Sequence, residues 1–262
     1  MDLGIRGKHA LVLASSQGLG LGVATALAAE GVNVMLASRT EARLKEAAAA
    51  LAAQYGVRTE WCACDLGSAD SVEALAETAL AKFSGVDILI NNTGGPPAGV
   101  VTSIDIGTWY RQFDQMIMSV FRITGRLLPG MRTRGWGRIL TIASSSVIQP
   151  IPNLGISNTL RAALVTWSKS LSNEVAADGV TVNVILPGRI STARVEELDR
   201  LAAQRQGRPV EEIVKQAQAQ IPTGRYGRVD ELGRVAAFLV SKSASYITGS
   251  VVRVDGGAIR CP

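Results

Sequence analysis

Short apolar, β-branched runs alternate with longer alanine-rich segments along the whole chain. The apolar runs are continuous, which is typical of strands buried on both faces of a parallel sheet. The segments between them have the length and periodicity of helices. Predicted strands cover residues 9–13, 32–38, 58–64, 86–91, 137–142, 180–186 and 250–254, and predicted helices lie near 19–30, 41–54, 69–83, 107–134, 154–177 and 229–240.

This alternation predicts one α/β domain of the doubly wound Rossmann type over residues 1–262, with a seven-stranded parallel sheet and helices on both faces. No linker, repeat or low-complexity tract divides the chain. Residues 192–220 interrupt the pattern with two amphipathic helices, 193–206 and 209–220, separated by Gly207. Such a pair could form a lid over a site at the carboxyl edge of the sheet, or pack as an ordinary helical hairpin.

Composition narrows the possible locations and metal chemistry. No apolar run approaches the ~18 residues that cross a bilayer, and the first residues lack the apolar core of a signal peptide, so a cytoplasmic protein without a membrane partner is expected. Cys62 and Cys64 lie two apart in a predicted strand, but His9 is the only histidine and a zinc site needs more ligands. The two cysteines are therefore predicted to pack as small apolar residues, with no metal bound.

The net charge of +5 raises the possibility of nucleic-acid binding. The densest basic cluster has neither aromatic stacking partners nor a recognisable module, so scattered solvated arginines and no nucleic-acid partner are the preferred interpretation. An anionic cofactor would also benefit from this charge. The cluster comprises Arg122, Arg126, Arg132, Arg134 and Arg138.

A glycine-rich run lies between the first predicted strand and the first predicted helix: Ala14-Ser15-Ser16-Gln17-Gly18-Leu19-Gly20-Leu21-Gly22. Glycines there allow a tight turn and a close approach of backbone N–H groups to a pyrophosphate, and the helix N-terminus favours negative charge. A glycine-rich run alone is a weak signal, but this one has the strand–turn–helix context that dinucleotide binding requires.

The end of the second predicted strand distinguishes the two nicotinamide cofactors. An acidic residue there usually binds the ribose 2′-OH of NAD, whereas a cation binds the 2′-phosphate of NADP. This chain has Ser38-Arg39-Thr40, and a guanidinium can make bidentate contacts to phosphate. NADP(H) is therefore favoured over NAD(H); the alternative is a surface arginine that merely opens a helix.

Further motifs follow in order: Asp65 after the third strand, Asn91-Asn92-Thr93-Gly94 after the fourth, Gly137-Arg138-Ile139-Leu140 in the fifth, Pro187-Gly188-Arg189-Ile190-Ser191-Thr192 after the sixth, and Val254-Asp255-Gly256-Gly257 in the last. Together with the glycine-rich turn they resemble the short-chain dehydrogenase/reductase family over nearly the whole chain, and are most similar to its 3-oxoacyl-carrier-protein reductase branch. Leu13-Ala14 stand where the family usually has Thr-Gly, and Thr93 stands where it has Ala.

The resemblance implies a role for each of these motifs in cofactor binding. The glycine-rich turn would bind the pyrophosphate, Asp65 with Leu66 would border the adenine, and Ile190 with Thr192 would bind the nicotinamide carboxamide. The implied set is Ala14, Ser16, Gln17, Gly18, Leu19, Gly20, Ser38, Arg39, Asp65, Leu66, Asn91, Thr93, Gly94, Pro187, Gly188, Ile190 and Thr192.

The family's proton-transfer residues are replaced in this sequence. By resemblance, Ser144 matches the family's serine, whereas Ser157 stands at the tyrosine, Arg161 at the lysine and Met116 at the asparagine. A serine hydroxyl is a far weaker acid than tyrosine, and arginine does not deprotonate at neutral pH. Losing general-acid help typically costs ~10²–10⁴-fold in rate.

Two functions remain open. One is a carbonyl/hydroxyl oxidoreductase with an atypical site, in which Arg161 supplies electrostatic stabilisation and four serines surround the substrate oxygen: Ser144, Ser145, Ser146 and Ser157. The other is a catalytically inactive dinucleotide-sensing protein or a subunit of a hetero-oligomer. The Gly-, Pro- and Ile-bearing segments 95–99 and 145–156 indicate an apolar small-molecule substrate without a charged anchor. The resemblance also implies a homo-oligomer, a dimer or tetramer.

Overall fold

Seven parallel strands form one twisted sheet at the centre of the protein. The computed structural model describes residues 2–261. The strands run in the order β3-β2-β1-β4-β5-β6-β7, and each neighbouring pair is parallel. The predicted fold class is confirmed. The strands are β1 His9–Leu13, β2 Asn33–Ser38, β3 Thr59–Ala63, β4 Ile88–Asn91, β5 Gly137–Ile142, β6 Val180–Pro187 and β7 Val251–Val254.

Helices connect these strands and cover both faces of the sheet. Their bounds agree with the predicted helices to within a few residues, with the single exception described below. The α-helices are α1 Gly18–Ala29, α2 Glu41–Tyr55, α3 Ala69–Phe83, α4 Ile106–Phe113, α5 Ser119–Thr133, α6 Gly155–Val175, α7 Ala193–Gln206, α8 Val210–Ala219 and α9 Val229–Leu239.

Alternate residues of each central strand contribute to two separate cores. Ala10 and Val12 of β1 pack with residues of α1, α2 and α9 on one face. Leu11 and Leu13 of the same strand pack with α3, α5 and α6 on the other. Since successive side chains of a strand point to opposite faces, a strand covered on both sides must be apolar throughout. The continuous apolar runs of the sequence are explained by this arrangement.

The chain order reverses beside β1. The first three strands extend from β1 to one edge of the sheet, and β4 returns to the other side of β1. The loops after β1 and β4 therefore leave the sheet in opposite directions and open a crevice at its carboxyl edge, where ligands of such sheets bind.

The predicted helix 107–134 is interrupted. A five-residue π-helix, Asp114–Met118, separates α4 from α5, and the N–H of Ser119 donates to the carbonyl oxygen of Asp114, five residues earlier. The apolar spacing of Met116, Ile117 and Val120 still fits a continuous helix, and all three are buried in one cluster. The pattern of apolar positions therefore does not reveal the extra residue in this turn.

Most of the basic cluster is engaged locally. Arg126 lies 3.1 Å from a Glu73 carboxylate oxygen, Arg132 pairs with Asp178 at 2.6 Å, and Arg134 with Asp87 at 3.5 Å. Arg138 is buried and donates to the Gly137 carbonyl oxygen at 2.8 Å. Arg126, Arg132 and Arg134 thus form local ion pairs, whereas the prediction of a solvated arginine is wrong for Arg138, whose side chain, on β5, is buried.

The cysteines pack as predicted. Cys64 is buried in the core below α3, Cys62 packs against the same cluster, and burial raises the pKa of both thiols. Over residues 2–261, no group of three or more His, Cys, Asp and Glu side chains could hold a metal ion. None of the helices in this range has the length and apolar character needed to cross a membrane.

Candidate functional site

A cavity of about 1220 Å³ lies at the carboxyl edge of the sheet. It is bordered by the glycine-rich turn, the ends of β2 to β6 and one side of α7. Typical pockets for one small molecule measure ~300–1,000 Å³, so this cavity has room for a large ligand and a second, smaller one. All of the residues predicted from the sequence to form the site line it, except Gly20 and Asn91.

Gly20 and Asn91 lie directly behind the cavity wall. A side chain at Gly20 would place its Cβ 2.4 Å from the Ala14 carbonyl oxygen, so this position serves the packing of α1 against the turn. Asn91 donates to Thr124 Oγ1 at 3.3 Å inside the protein. Its neighbour Asn92 lines the cavity instead and donates to the carbonyl oxygen of Ala14 at 3.3 Å.

The glycine-rich turn leaves the start of α1 available to an anion. Gln17 is the N-cap residue, and its side chain makes no capping hydrogen bond. The first N–H groups of a helix have no partner within the helix, so an uncapped N-terminus that faces a cavity is a suitable phosphate-binding position. Gly18 has φ +60°, a left-handed conformation that glycine adopts without strain.

Two arginines occupy the end of the cavity beside β2. Arg39 lines it as predicted, and Arg43, on α2, lines it as well. Arg43 donates to Gln17 Oε1 at 2.8 Å, so its guanidinium is held against the glycine-rich turn. The hydroxyl of Ser38 is buried beside them and has no hydrogen-bond partner within residues 2–261.

The opposite end of the cavity contains Ser144, Ser157 and Arg161. Ser144 follows β5, and its Oγ accepts a hydrogen bond from the N–H of Ser146 at 3.1 Å. Ser157 and Arg161 are four residues apart on α6, so both side chains project from one face of the helix. All three residues line the cavity, as does Thr93, a buried residue whose hydroxyl has no hydrogen-bond partner within the described residues.

Arg161 is 8% exposed, and its Nη1 donates to the Ile142 carbonyl oxygen at 3.0 Å. Burial and, second, the charge of Arg194 lower the pKa of Arg161 to about 10. At neutral pH the guanidinium is therefore still protonated and presents a fixed positive charge beside the two serines.

The structure brings further residues into the wall that the sequence reasoning missed. Gln115, in the π-helix, lines the cavity, whereas the neighbouring Met116 is fully buried in the core. Arg194, in the first turn of α7, also lines it, although the sequence indicated a pocket without a charged anchor. No motif marks either position, since one depends on an irregular helical turn and the other on how α7 folds back.

Sequence and structure comparisons identify the family. The enoyl-(acyl carrier protein) reductase family model matches residues 13–258. The 3-oxoacyl-[acyl-carrier-protein] reductase of Aquifex aeolicus is 34% identical, over 98% of this chain and 99% of its own. The chain belongs to the short-chain dehydrogenase/reductase family. It is thus a member of a family of oxidoreductases that act on carbonyl and hydroxyl groups, as the sequence indicated.

Solved structures of this family match the whole fold. L-Sorbose reductase from Gluconobacter frateurii, complexed with NADPH and L-sorbose, superposes with a TM-score of 0.95, 34% identity and complete coverage of both chains. An NAD⁺-bound xylitol dehydrogenase superposes with a TM-score of 0.90 and 25% identity, over 97% of this chain and 99% of that one.

Contacts of two residues hold α7 in place, Asp199 in the middle of the helix and Thr192 at its N-terminus. Asp199, on α7, is 2% exposed and forms an ion pair with Arg189, which follows β6. Tyr226 donates to the same carboxylate at 2.9 Å. Burial raises the pKa of Tyr226, and its hydrogen bond to Asp199 raises it further. Thr192, a predicted nicotinamide contact, caps α7 by accepting from the N–H of Val195 at 3.4 Å.

Ala14 stands where short-chain dehydrogenase/reductases usually have glycine, and its φ is +47°. An L-residue in this region is strained by ~1–2 kcal/mol, because its Cβ approaches the following carbonyl oxygen. Glycine would remove this strain but would lose more conformational freedom on folding, by ~0.5–1 kcal/mol.

We therefore expect Ala14→Gly to raise the free energy of unfolding by about 0.5–1 kcal/mol, measured by urea denaturation. The matched control is Ala50→Gly on the exposed side of α2, which should lower it by ~1 kcal/mol. Equal losses in both variants would contradict the assignment of strain to Ala14.

Proposed function

We propose that this protein is an NADP(H)-dependent oxidoreductase that interconverts a carbonyl compound and its alcohol. The observation that carries the proposal is the arrangement within one cavity: an uncapped helix N-terminus and two arginines at one end, two serines and a buried arginine at the other. The unpartnered hydroxyls of Ser38 and Thr93 support a polar ligand between them, because a buried hydroxyl without a partner is costly.

The residues fit an extended dinucleotide. The turn of Ser16 to Gly20 would hold the pyrophosphate, Asp65 and Leu66 would border the adenine, and the segment from Pro187 to Thr192 would hold the nicotinamide. When bound, the nicotinamide supplies or accepts a hydride. The protein's own contribution is to orient the substrate carbonyl and to stabilise the charge that develops on its oxygen.

Ser144 and Ser157 would donate hydrogen bonds to the substrate oxygen, and Arg161 would stabilise its negative charge. Neither serine is acidic enough to release its proton unaided, so the proton that completes the alcohol is relayed from water through a serine hydroxyl. Arg161 stays charged throughout and differs in this respect from a lysine, which can exchange its proton. Gln115 contributes an amide that can hold such a water.

The reductase proposal is tested by NADPH consumption with a panel of ketones, quinones and 3-oxoacyl thioesters. We expect turnover of at least one class, with alcohol formed in equal amount.

Ser157→Ala should lower kcat ~10²-fold, because it removes a hydrogen bond to the developing oxyanion. The control is Ser170→Ala on the exposed side of the same helix, which should leave kcat unchanged.

Micromolar NADPH binding without turnover of any class would contradict the reductase proposal and favour the inactive, dinucleotide-sensing or hetero-oligomeric protein. In that case the double variant Ser157→Tyr with Arg161→Lys distinguishes two causes. Gain of carbonyl reduction would place the defect at these two positions, whereas continued inactivity of a folded variant would place it elsewhere in the cavity.

The preference for NADP(H) would come from a pair of cations, Arg39 and Arg43. Both line the cavity beside the unpartnered hydroxyl of Ser38, and together they could bind a 2′-phosphate through charge-assisted hydrogen bonds. Asp65 is the only carboxylate in the described lining of this end.

We expect Arg39→Gln and Arg43→Gln each to lower kcat/KM for NADPH about 10–100-fold, the equivalent of ~1.5–3 kcal/mol for a hydrogen bond to a charged group. The value for NADH should change less than about threefold. Lys45→Gln removes the same charge from α2 outside the cavity and serves as the control. An equal loss for both cofactors would assign the two arginines a structural role.

We further propose that α7, which lines the cavity, forms a lid over the substrate together with α8.

We also propose that the chain assembles as a homo-oligomer. One exposed apolar stripe supports assembly: Ile106, Tyr110 and Phe113 on α4 are 69%, 67% and 41% exposed. Light scattering should give two or four times the mass of one chain, and Phe113→Glu should reduce it. A monomeric mass at micromolar concentration would contradict assembly.

A further inference from the structure

The end of the cavity that contains Ser144, Ser157 and Arg161, the reaction end, is rich in arginine. Six arginines and two carboxylate residues line the cavity as a whole. Arg39 and Arg43 lie at the adenosine end, where Asp65 also lies. Away from the adenosine end, the lining contains one carboxylate, that of Glu197, and four arginines: Arg161, Arg189, Arg194 and Arg205.

Within residues 2–261, no carboxylate forms an ion pair with Arg161, and its one hydrogen bond there is to a backbone carbonyl oxygen. A guanidinium that is more than nine-tenths buried normally has an anionic partner, because removing the charge from water is costly. An anionic ligand in the cavity would therefore stabilise the buried guanidinium of Arg161.

Arg194 supplies a second guanidinium from the other side of the cavity. Its Nη2 donates to the Pro96 carbonyl oxygen at 2.8 Å, which fixes it across the gap between α7 and the loop after β4. Its Nη1 lies 2.8 Å from a carboxylate oxygen of Glu197, a side chain that is 53% exposed. The charge of Arg194 is close enough to contribute to the lowered pKa of Arg161.

The other charges at this end are balanced or exposed. Arg189 is paired with the buried Asp199, and Arg205 is an exposed residue in the last turn of α7. Glu197 is the single acid that competes for Arg194, and it can rotate into water. An anion that enters between Arg161 and Arg194 would thus meet two guanidiniums and no fixed carboxylate.

We propose that the substrate is a 2-oxo acid, or the corresponding 2-hydroxy acid, whose carboxylate is bound by Arg194 while Arg161 faces the adjacent carbonyl oxygen. This inference rests on the proposed function. A 2-oxo acid carries a carbonyl oxygen and a carboxylate on neighbouring carbons, which matches two cations on opposite sides of one cavity.

The chemistry is suited to a site without a tyrosine. Bound NADPH would supply a hydride to the carbonyl carbon, and the C=O π pair would move to the oxygen. The oxyanion would take a proton from water through Ser157, leaving NADP⁺, a 2-hydroxy acid and a hydroxide that is neutralised in solvent. An adjacent carboxyl group makes the carbonyl carbon more electrophilic when its own charge is neutralised, and Arg194 supplies that neutralisation. The need for a strong general acid is correspondingly smaller.

The test compares benzoylformate with its methyl ester, which keeps the carbonyl and removes the negative charge. We expect kcat/KM with NADPH to be at least about tenfold higher for the acid. Arg194→Gln should lower the value for the acid about 10–100-fold and that for the ester less than about threefold, with an unchanged Kd for NADPH. Glu197→Gln removes the carboxylate that competes for Arg194 and should therefore lower KM for benzoylformate. Arg200→Gln, an exposed position of α7 outside the cavity lining, is the matched control.

A second measurement separates this inference from the proposed function. Oxamate is a 2-oxo acid analogue that is not readily reduced, and its binding to the protein–NADP⁺ complex is measured by calorimetry without turnover. Binding that is lost in Arg194→Gln supports the inference even if no substrate is turned over. Reduction of the ester without oxamate binding overturns the inference and leaves the reductase proposal intact. Weaker NADPH binding in Arg194→Gln, with an unchanged preference between acid and ester, assigns this arginine to a cofactor phosphate and also overturns it.

Discussion

The close packing of α1 is the constraint on which the cavity depends. A Cβ at Gly20 would lie 2.4 Å from the Ala14 carbonyl oxygen, and one at Gly22 would lie 1.9 Å from a methyl carbon of Val229. The helix is therefore held between the end of β1 and the first residue of α9, with no room for a side chain on either side. This contact aims the helix N-terminus into the crevice and leaves its N–H groups free for a ligand.

The sequence predicts the regular parts of this architecture and misses the irregular ones. A strand covered on both faces needs an unbroken apolar run, so the central strands are identifiable from the sequence, and the glycines of the turn indicate the crevice. The π-helix is different, since Met116 and Ile117 satisfy helical spacing whether or not an extra residue is present. The sequence therefore does not show that Gln115 reaches the cavity. Arg194 was missed for a second reason, because its position depends on a tertiary contact with Pro96 that no local pattern encodes.

In the proposed mechanism, Ser157 and Arg161 separate two properties that a lysine and a tyrosine would combine. Arg161 would place a positive charge beside the substrate oxygen but would exchange no proton at neutral pH. Ser157 retains a hydroxyl but lacks the acidity of a phenol. Under this proposal, electrostatic stabilisation would be preserved while proton delivery would depend on solvent, and such a site would suit carbonyl groups that are already activated. A substrate with an electron-withdrawing neighbour meets that requirement, and an unactivated ketone does not.

The ion pair and hydrogen bond at Asp199 have a consequence beyond the stability of α7. Arg189 belongs to the segment expected to hold the nicotinamide, Tyr226 belongs to the loop before α9, and both contact the same carboxylate. The loops are also joined through their backbones, since the N–H of Gly227 donates to the Arg189 carbonyl oxygen at 2.9 Å. If α7 acts as the proposed lid, its opening for product release must break this junction or move together with it. The residence time of the cofactor would then depend on Tyr226, which does not line the cavity, and mutations there would alter the rate of turnover without altering the chemistry.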